Sequence, residues 1–252
     1  MAILLVLFFL GTVIGSFLNV CIYRLPQEQS IVSPPSHCPQ CGERLRPWDL
    51  IPVLSWLFLR GKCRYCASSV SGRYTIVEML TGLLFLLCFL VVGLSFELIK
   101  ALIFASFLII ITFVDLDHQL ILDRVLIWMA GAGVIINLWI GAPMPGALNM
   151  LLAAAAGGGV LLLIAVLTRG GMGGGDIKFM AVLGLWLGWP YIIMVLLLSF
   201  VIGGAAGLVL ILFKLRGRKD FIPFGPFIAI AAFITLLYGL DIMFWYTGSF
   251  MR

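Results

Sequence analysis

The chain has 252 residues, of which 63% are hydrophobic and only 11% charged. A soluble domain carries about 25% charged residues, so a water-exposed globule is excluded, and alternating segments of about ten residues with one polar face, the mark of a spanning barrel, are absent. The formal net charge of +5 requires no nucleic acid as partner, because basic residues of helical membrane proteins gather in cytoplasmic loops.

In chain order, eight apolar segments approach the ~20 residues a helix needs to cross the hydrocarbon core: 1–22, 75–93, 97–114, 121–141, 147–168, 177–189, 191–213 and 224–246. The first has neither a basic leading region nor a small-x-small cleavage site, and reads as a retained span. The sixth is short and rich in Gly and Trp, and Trp189-Pro190 punctuates its end as a turn at an interface would. An outside N-terminus makes residues 23–74 cytoplasmic, with Arg24, Arg44, Arg46, Arg60, Lys62, Arg64 and Arg73. The other inside segments then hold Arg124, Arg169, Lys178, Lys214, Arg216, Arg218 and Lys219, leaving Lys100 and Arg252 outside. Fourteen against two is a strong positive-inside bias, and it follows from the eight-span count. The expectation is an all-α polytopic membrane protein: a first helix over 1–22, a cytoplasmic loop domain over 23–74, and a seven-helix core over 75–252.

The loop is too short and too poor in aliphatic side chains to bury a core, so it needs a staple. Cys38-Pro39-Gln40-Cys41 and Cys63-Arg64-Tyr65-Cys66 supply one. Two C-x-x-C knuckles can close four thiolates around a tetrahedral Zn²⁺. The competing readings are a pair of disulfides, disfavoured in a reducing cytoplasm, and a redox dithiol, which normally comes as a single C-x-x-C in a βαβ context. His37 neighbours the first knuckle, more a bystander than a ligand, and Cys21 and Cys88, in or near spans, read as small hydrophobes.

The chain has only eleven acidic residues, among them Asp115, Asp117, Asp123 and Asp176. Ionisable groups at membrane depth are costly and mark function. Residues 113–123 begin at the cytoplasmic end of the third span, and Asp176 lies in Gly170-Gly171-Met172-Gly173-Gly174-Gly175-Asp176-Ile177-Lys178 at the cytoplasmic start of the sixth. Topology alone puts both on one membrane face. Two carboxylates in close contact share a proton, so that one can activate water while the other protonates a scissile carbonyl. The glycine run adds backbone that can take φ > 0 and lie close to a substrate strand. The bland alternative is a solvated acidic loop and a flexible hinge; it suits Asp117 and Asp123 taken singly, but not Asp115 with Asp176.

These residues resemble the bacterial type IV prepilin peptidases over nearly the whole chain. The likeness runs through Gly15-Ser16-Phe17-Leu18-Asn19-Val20, Tyr23-Arg24-Leu25-Pro26, the paired C-x-x-C loop, Gly72-Arg73-Tyr74 with Glu78, the G-x-G-D motif Gly173-Gly174-Gly175-Asp176, and Ile222-Pro223-Phe224-Gly225-Pro226-Phe227. In the family the first catalytic aspartate precedes a closing Asp or Asn by eight residues, which carries that role to Asp115 before Asp123, with Asp117 its rival, and the second role to Asp176. Many members have Pro before the closing acid, where this chain has Leu122. The resemblance implies an aspartyl endopeptidase at the cytoplasmic face of the bacterial inner membrane, removing the basic leader of prepilins or pseudopilins. It also implies S-adenosylmethionine as methyl donor for the new N-terminus; no segment reads as a known fold for that cofactor, and no residue is assigned to it. Family substrates carry a Glu early in the mature chain, so Lys178, with Gly173 and Gly175, is expected to position substrate; the alternative for Lys178 is anchoring at the headgroups. A peptidase without methyltransferase activity, a proton-coupled transporter and a non-catalytic assembly subunit remain as competing readings.

Overall fold

The computed structural model describes residues 2–139, 146–214 and 222–250, with side chains to residue 248. Arg216, Arg218, Lys219 and Arg252 of the Lys/Arg tally lie outside the described residues. Among the described residues all regular structure is helical, and extended backbone pairs only at the isolated bridges His37↔Arg44 and Lys62↔Ser69. The helices are α1 (Ala2–Arg24), a short α2 (Leu54–Phe58), α3 (Arg73–Val92), α4 (Phe96–His118), α5 (Asp123–Trp139), α6 (Ala147–Leu167), α7 (Gly174–Leu187), α8 (Tyr191–Leu212) and α9 (Gly225–Phe250). All but α2 fall on the eight apolar segments of the sequence.

Among the described residues six helices are long and apolar enough to cross a membrane: α1, α3, α4, α6, α8 and α9. At 17 and 14 described residues, α5 and α7 are shorter than the ~20 of a typical span, so length and composition alone mark six of the eight apolar segments as spans among the described residues. Apolar side chains such as Leu5, Ile127, Leu162 and Leu208 are exposed, the pattern of a protein whose solvent is lipid. The chain is a multi-pass membrane protein.

Two compact units divide it, residues 1–110 and 111–252. In the first, α1 lies along α3 on a seam of small residues. Gly11 and Gly15 stand one turn apart, and a Cβ on them would fall 2.7 Å from the Gly82 Cα and 2.8 Å from the Glu78 Cα. Without a hydrophobic drive inside lipid, helices associate through such close backbone approach. Near the seam's end the Asn19 side chain donates to the Tyr74 carbonyl at 2.9 Å.

In the second unit α7 is the hub. It packs along α6, where Gly184 faces the backbone of Ala153 and Ala154 and Gly158 faces Ala181. Against α5, the buried Trp186 ring fills the space left by Gly133, and its Nε1 donates to the Met129 carbonyl at 2.8 Å. Asn137 donates to the carbonyls of Leu185 and Trp186 at 2.8 and 3.1 Å, where the last turn of α7 leaves them without helical partners. Asn149 then pins the α7–α8 turn, accepting the Trp189 N–H at 2.6 Å.

Because α7 is placed by bare glycine surfaces, Gly184→Val should force α6 and α7 apart. The expected cost is about 1–3 kcal/mol, read as a lowered unfolding midpoint in detergent; an unchanged midpoint would mean the seam is not close-packed.

Candidate active site and metal centre

Asp115 stands in the last turn of α4, where the Gln119 N–H returns to the Asp115 carbonyl at 2.9 Å and Gln119 closes the helix at φ 51°. The helix outlasts the 97–114 segment by four residues, so Asp115 is a helical residue and not part of a loop. Its side chain is buried, whereas Asp117, two positions on and turned to another face, is exposed.

Asp176 is also buried, in the first turn of α7. With Gly173 at the N-cap and Gly174 the first helical residue, Asp176 is the third. From there its carboxylate turns back toward the Gly173 backbone, the direction taken by the acid of a capping box. Helix geometry thus explains the G-x-G-D spacing: the acid lies over the start of its own helix, in the partial positive field of that helix's N-terminus. A Cβ on Gly173 would sit 3.0 Å from the Asp176 Oδ2. Within the glycine run only Gly170, at φ +99°, uses the left-handed region; Gly173 and Gly175 provide room instead.

A third element completes the constellation. Gly225, the first residue of α9, donates its N–H to the Asp115 Oδ2 at 3.0 Å within a buried setting. That N–H is one of the four donors a helix start leaves unpaired, and Pro226 beside it has none to offer. The Gly225 Cα lies so close that a Cβ would stand 2.6 Å from the same oxygen. Ile121 joins the groups: a Cβ on Gly175 would meet its Cβ at 2.9 Å, and one on Gly225 its Cδ1 at 3.3 Å. Asp115 lies within electrostatic reach of Asp176. Two buried carboxylates, Asp115 on the Gly225 N–H and Asp176 turned toward the Gly173 backbone, therefore lie in one region of charge in the second unit. Like charges so placed cannot both ionise cheaply, and such a pair can hold one proton between them while polarising a water.

Lys178 points elsewhere. Its Nζ bonds both oxygens of the Asp123 carboxylate at 2.8 and 2.7 Å, an exposed pair joining α7 to the start of α5. Asp123 is thus the partner of Lys178. Sequence reasoning did not foresee this contact, the Gly225 donor or the Ile121 spacer; the Gly-Pro pair opening an apolar segment is the signal that could have found Gly225.

In the first unit, the sulfurs of Cys38, Cys41, Cys63 and Cys66 all lie within 4.8 Å of one another, a group able to hold a metal ion. The knuckles repeat one backbone pattern. Cys38 N–H bonds the Glu43 carbonyl and Gly42 N–H returns to Cys38; Cys63 N–H bonds Ser68 and Ala67 N–H returns to Cys63. Gly42 (φ 71°) and Ala67 (φ 56°) occupy the same left-handed position. All six cysteines are free. The N–H groups of Cys41 and Gln40 bring the Cys38 thiol down to about 6, and the Ser68 hydroxyl and N–H lower Cys66, whereas at Cys41 the Glu43 backbone lowers the thiol but burial and the neighbouring Cys38 and Cys66 sulfurs outweigh it and push it up to about 11. His37 stands outside the cluster, its Nδ1 3.0 Å from the Pro35 carbonyl. Asp49 clasps the two halves of the module, accepting from Arg64 Nε at 2.6 Å and from the Tyr65 hydroxyl at 3.1 Å.

Residues 9–92 match the model of the Bacterial Peptidase A24 N-terminal domain, and residues 102–208 match that of the Type IV leader peptidase family. The chain is 35% identical to the prepilin leader peptidase/N-methyltransferase of Aeromonas salmonicida strain A449, over 97% of this chain and 94% of the relative. The chain belongs to the type IV leader peptidase family. It is also 38% identical to the prepilin leader peptidase/N-methyltransferase of Bacillus subtilis strain 168, over 96% of both chains. The identically named protein of Aeromonas hydrophila is 36% identical, over 97% of this chain and 93% of the relative. No solved structure matches significantly. The first matched region contains the cysteine module and the second contains both buried aspartates, whereas Gly225 lies beyond either.

Purified protein should carry about one metal ion per chain. Replacing Cys63 and Cys66 together with Ser should release it and expose the module to limited proteolysis; a metal-free protein with two intact disulfides would contradict the tetrathiolate site.

Proposed function

We propose that the protein is a membrane aspartyl endopeptidase that cleaves the leader of prepilins or pseudopilins at the cytoplasmic face of the bacterial inner membrane. It then N-methylates the new terminus, with S-adenosylmethionine as methyl donor. Relatives named prepilin leader peptidase/N-methyltransferase support both activities. The observation that carries the peptidase is the convergence of buried Asp115 and Asp176, the first on the Gly225 N–H and the second at the start of α7. With one proton between them, the ionised carboxylate takes a proton from water as it attacks the scissile carbonyl. The protonated one donates to the carbonyl oxygen, and the tetrahedral species collapses as the leaving amine takes up a proton. Gly225 and Gly173 hold the two carboxylates in place without a side chain to displace them.

The four-cysteine site fits zinc. Bonds of ~2.3 Å to a tetrahedral Zn²⁺ put neighbouring sulfurs about 3.8 Å apart, and the Cys38 and Cys66 sulfurs are 3.8 Å apart. Four protein ligands leave no open position, so the ion would hold the module together and do no chemistry. The Lys/Arg tally supports eight spans with the N-terminus outside. Gly173 and Gly175 give a substrate strand room beside the carboxylates, and Lys178, held by Asp123 at the exposed rim, positions the substrate from there.

Asp115→Asn and Asp176→Asn should each abolish prepilin cleavage while expression and metal content stay normal, and the double variant should be no worse than either single one. Gly225→Ala, which pushes a methyl against the Asp115 oxygen, should lower kcat by up to about a hundredfold without loss of folded protein. Full activity in any of the three would remove that residue from the mechanism.

Lys178→Ala gives up an exposed ion pair, so stability should change by no more than about 1 kcal/mol. Cleavage assayed across pH should nonetheless be slower; unchanged kinetics would leave the lysine only its pairing with Asp123.

A further inference from the structure

The cysteine module carries an apolar face that its own fold leaves uncovered. In α2, Leu54, Leu57 and Phe58 recur at i, i+3 and i+4 and so share one side of the helix. They are 49%, 56% and 83% exposed. Trp48, Leu50 and Ile51, just before the helix, are exposed as well. Trp56 does the opposite: its Nε1 donates to the Val70 carbonyl at 3.0 Å and its ring lies over Gly61 and Gly72. The helix is thus fastened to the module by Trp56 while its leucine and phenylalanine face looks away.

Two observations say what covers that face. The first is depth. Both ends of the module join membrane helices, at Arg24 of α1 and Arg73 of α3, and α1 and α3 are packed together. Tyr23 and Tyr74, each exposed at these junctions, sit where aromatic side chains mark the membrane–water boundary. Val53, the residue before α2, donates its N–H to the Glu78 Oε2 at 2.8 Å. Glu78 lies four residues into α3 beyond Tyr74, about 6 Å along the axis, and is itself buried against α1, its Cα facing Gly15. Val53 holds φ 63°, a region a β-branched residue adopts only when its surroundings fix it. The latch therefore ties the start of α2 within about one helical turn of the boundary. The second is charge. Arg46, Arg60 and Lys62 flank the apolar face and are exposed, complementary to anionic headgroups. An apolar helical face rimmed by cations lies in the interface plane of a bilayer.

We infer that α2 is an interfacial anchor: Leu54, Leu57 and Phe58 insert at the headgroup–acyl boundary beside α1 and α3, and Arg46, Arg60 and Lys62 bind anionic lipid phosphates. The module is then laid on the membrane by its own surface as well as by its two tethers.

The test places the photo-crosslinking amino acid p-benzoylphenylalanine at Phe58 in the full chain, reconstituted in nanodiscs of phosphatidylethanolamine and phosphatidylglycerol. Val32, 83% exposed in the same module, is the water-facing control, and Leu83 of α3 the lipid-facing one. Mass spectrometry after irradiation should find phospholipid adducts at Phe58 at a yield like that at Leu83 and well above that at Val32. Replacing phosphatidylglycerol with phosphatidylcholine, or combining Arg60→Ala with Lys62→Ala, should lower the Phe58 yield by about fivefold or more and leave Leu83 unchanged. Phe58 adducts no more frequent than those at Val32 would overturn the anchor, as would adducts to a second copy of the chain or to added prepilin in place of lipid. A lipid yield indifferent to headgroup charge and to both basic residues would overturn the role given to the cations.

Discussion

A carboxylate buried at the end of a membrane helix must find donors, because little water is there to supply them. Asp115 and Asp176 both look to helix starts: the first accepts the Gly225 N–H of α9, and the second turns back toward the Gly173 backbone at the start of α7. Both solutions require glycine, since a Cβ at 225 would stand 2.6 Å from one carboxylate and a Cβ at 173 would stand 3.0 Å from the other. The rest of the second unit serves this arrangement. The seam with α6 and the Trp186 contact with α5 fix α7, and α7 fixes Asp176. Ile121 spaces Gly175 from Gly225 and so sets how near α9 comes to Asp115.

The first unit rests on a different pair of ties. Four thiolates need a cation to hold them together, and the Val53–Glu78 bond needs the glycine seam that buries Glu78. A loop of this size has no core of its own, and its order comes from those ties, from the Asp49 clasp and from the surface it leans on. Burial pushes the Asp49 carboxyl up, but the Arg64 guanidinium, the Arg46 N–H and the Tyr65 hydroxyl together outweigh it and hold it below the ordinary carboxylate range. The clasp therefore contributes at neutral pH and is lost only as acid protonates Asp49.

Much of this was legible in the sequence. Hydropathy placed the eight long helices within a few residues, because a lipid solvent demands uninterrupted apolar length and few other constraints compete. The knuckle spacing placed the four cysteines, because two C-x-x-C turns have few ways to present four sulfurs. What hydropathy could not resolve were the ends. Helix α4 continues through Asp115 to His118, and α7 begins at Gly174, three residues before the apolar run that announces it. Polar residues at a helix terminus look like loop to a hydropathy window, and the two buried acids stand at such termini. The partners at long separation were also hidden: Gly225 to Asp115 spans 110 residues and Lys178 to Asp123 spans 55. Nothing local in either segment encodes the other.

The central claim is that Asp115 and Asp176 act as one unit holding a single proton. It is tested most directly by the pH dependence of prepilin cleavage by the full-length protein in nanodiscs. Two coupled carboxyl groups that work only in the singly protonated state give a rate that rises and then falls with pH, with two apparent constants belonging to the pair. A rate with only one limb, or none, between full protonation and full ionisation would contradict the account.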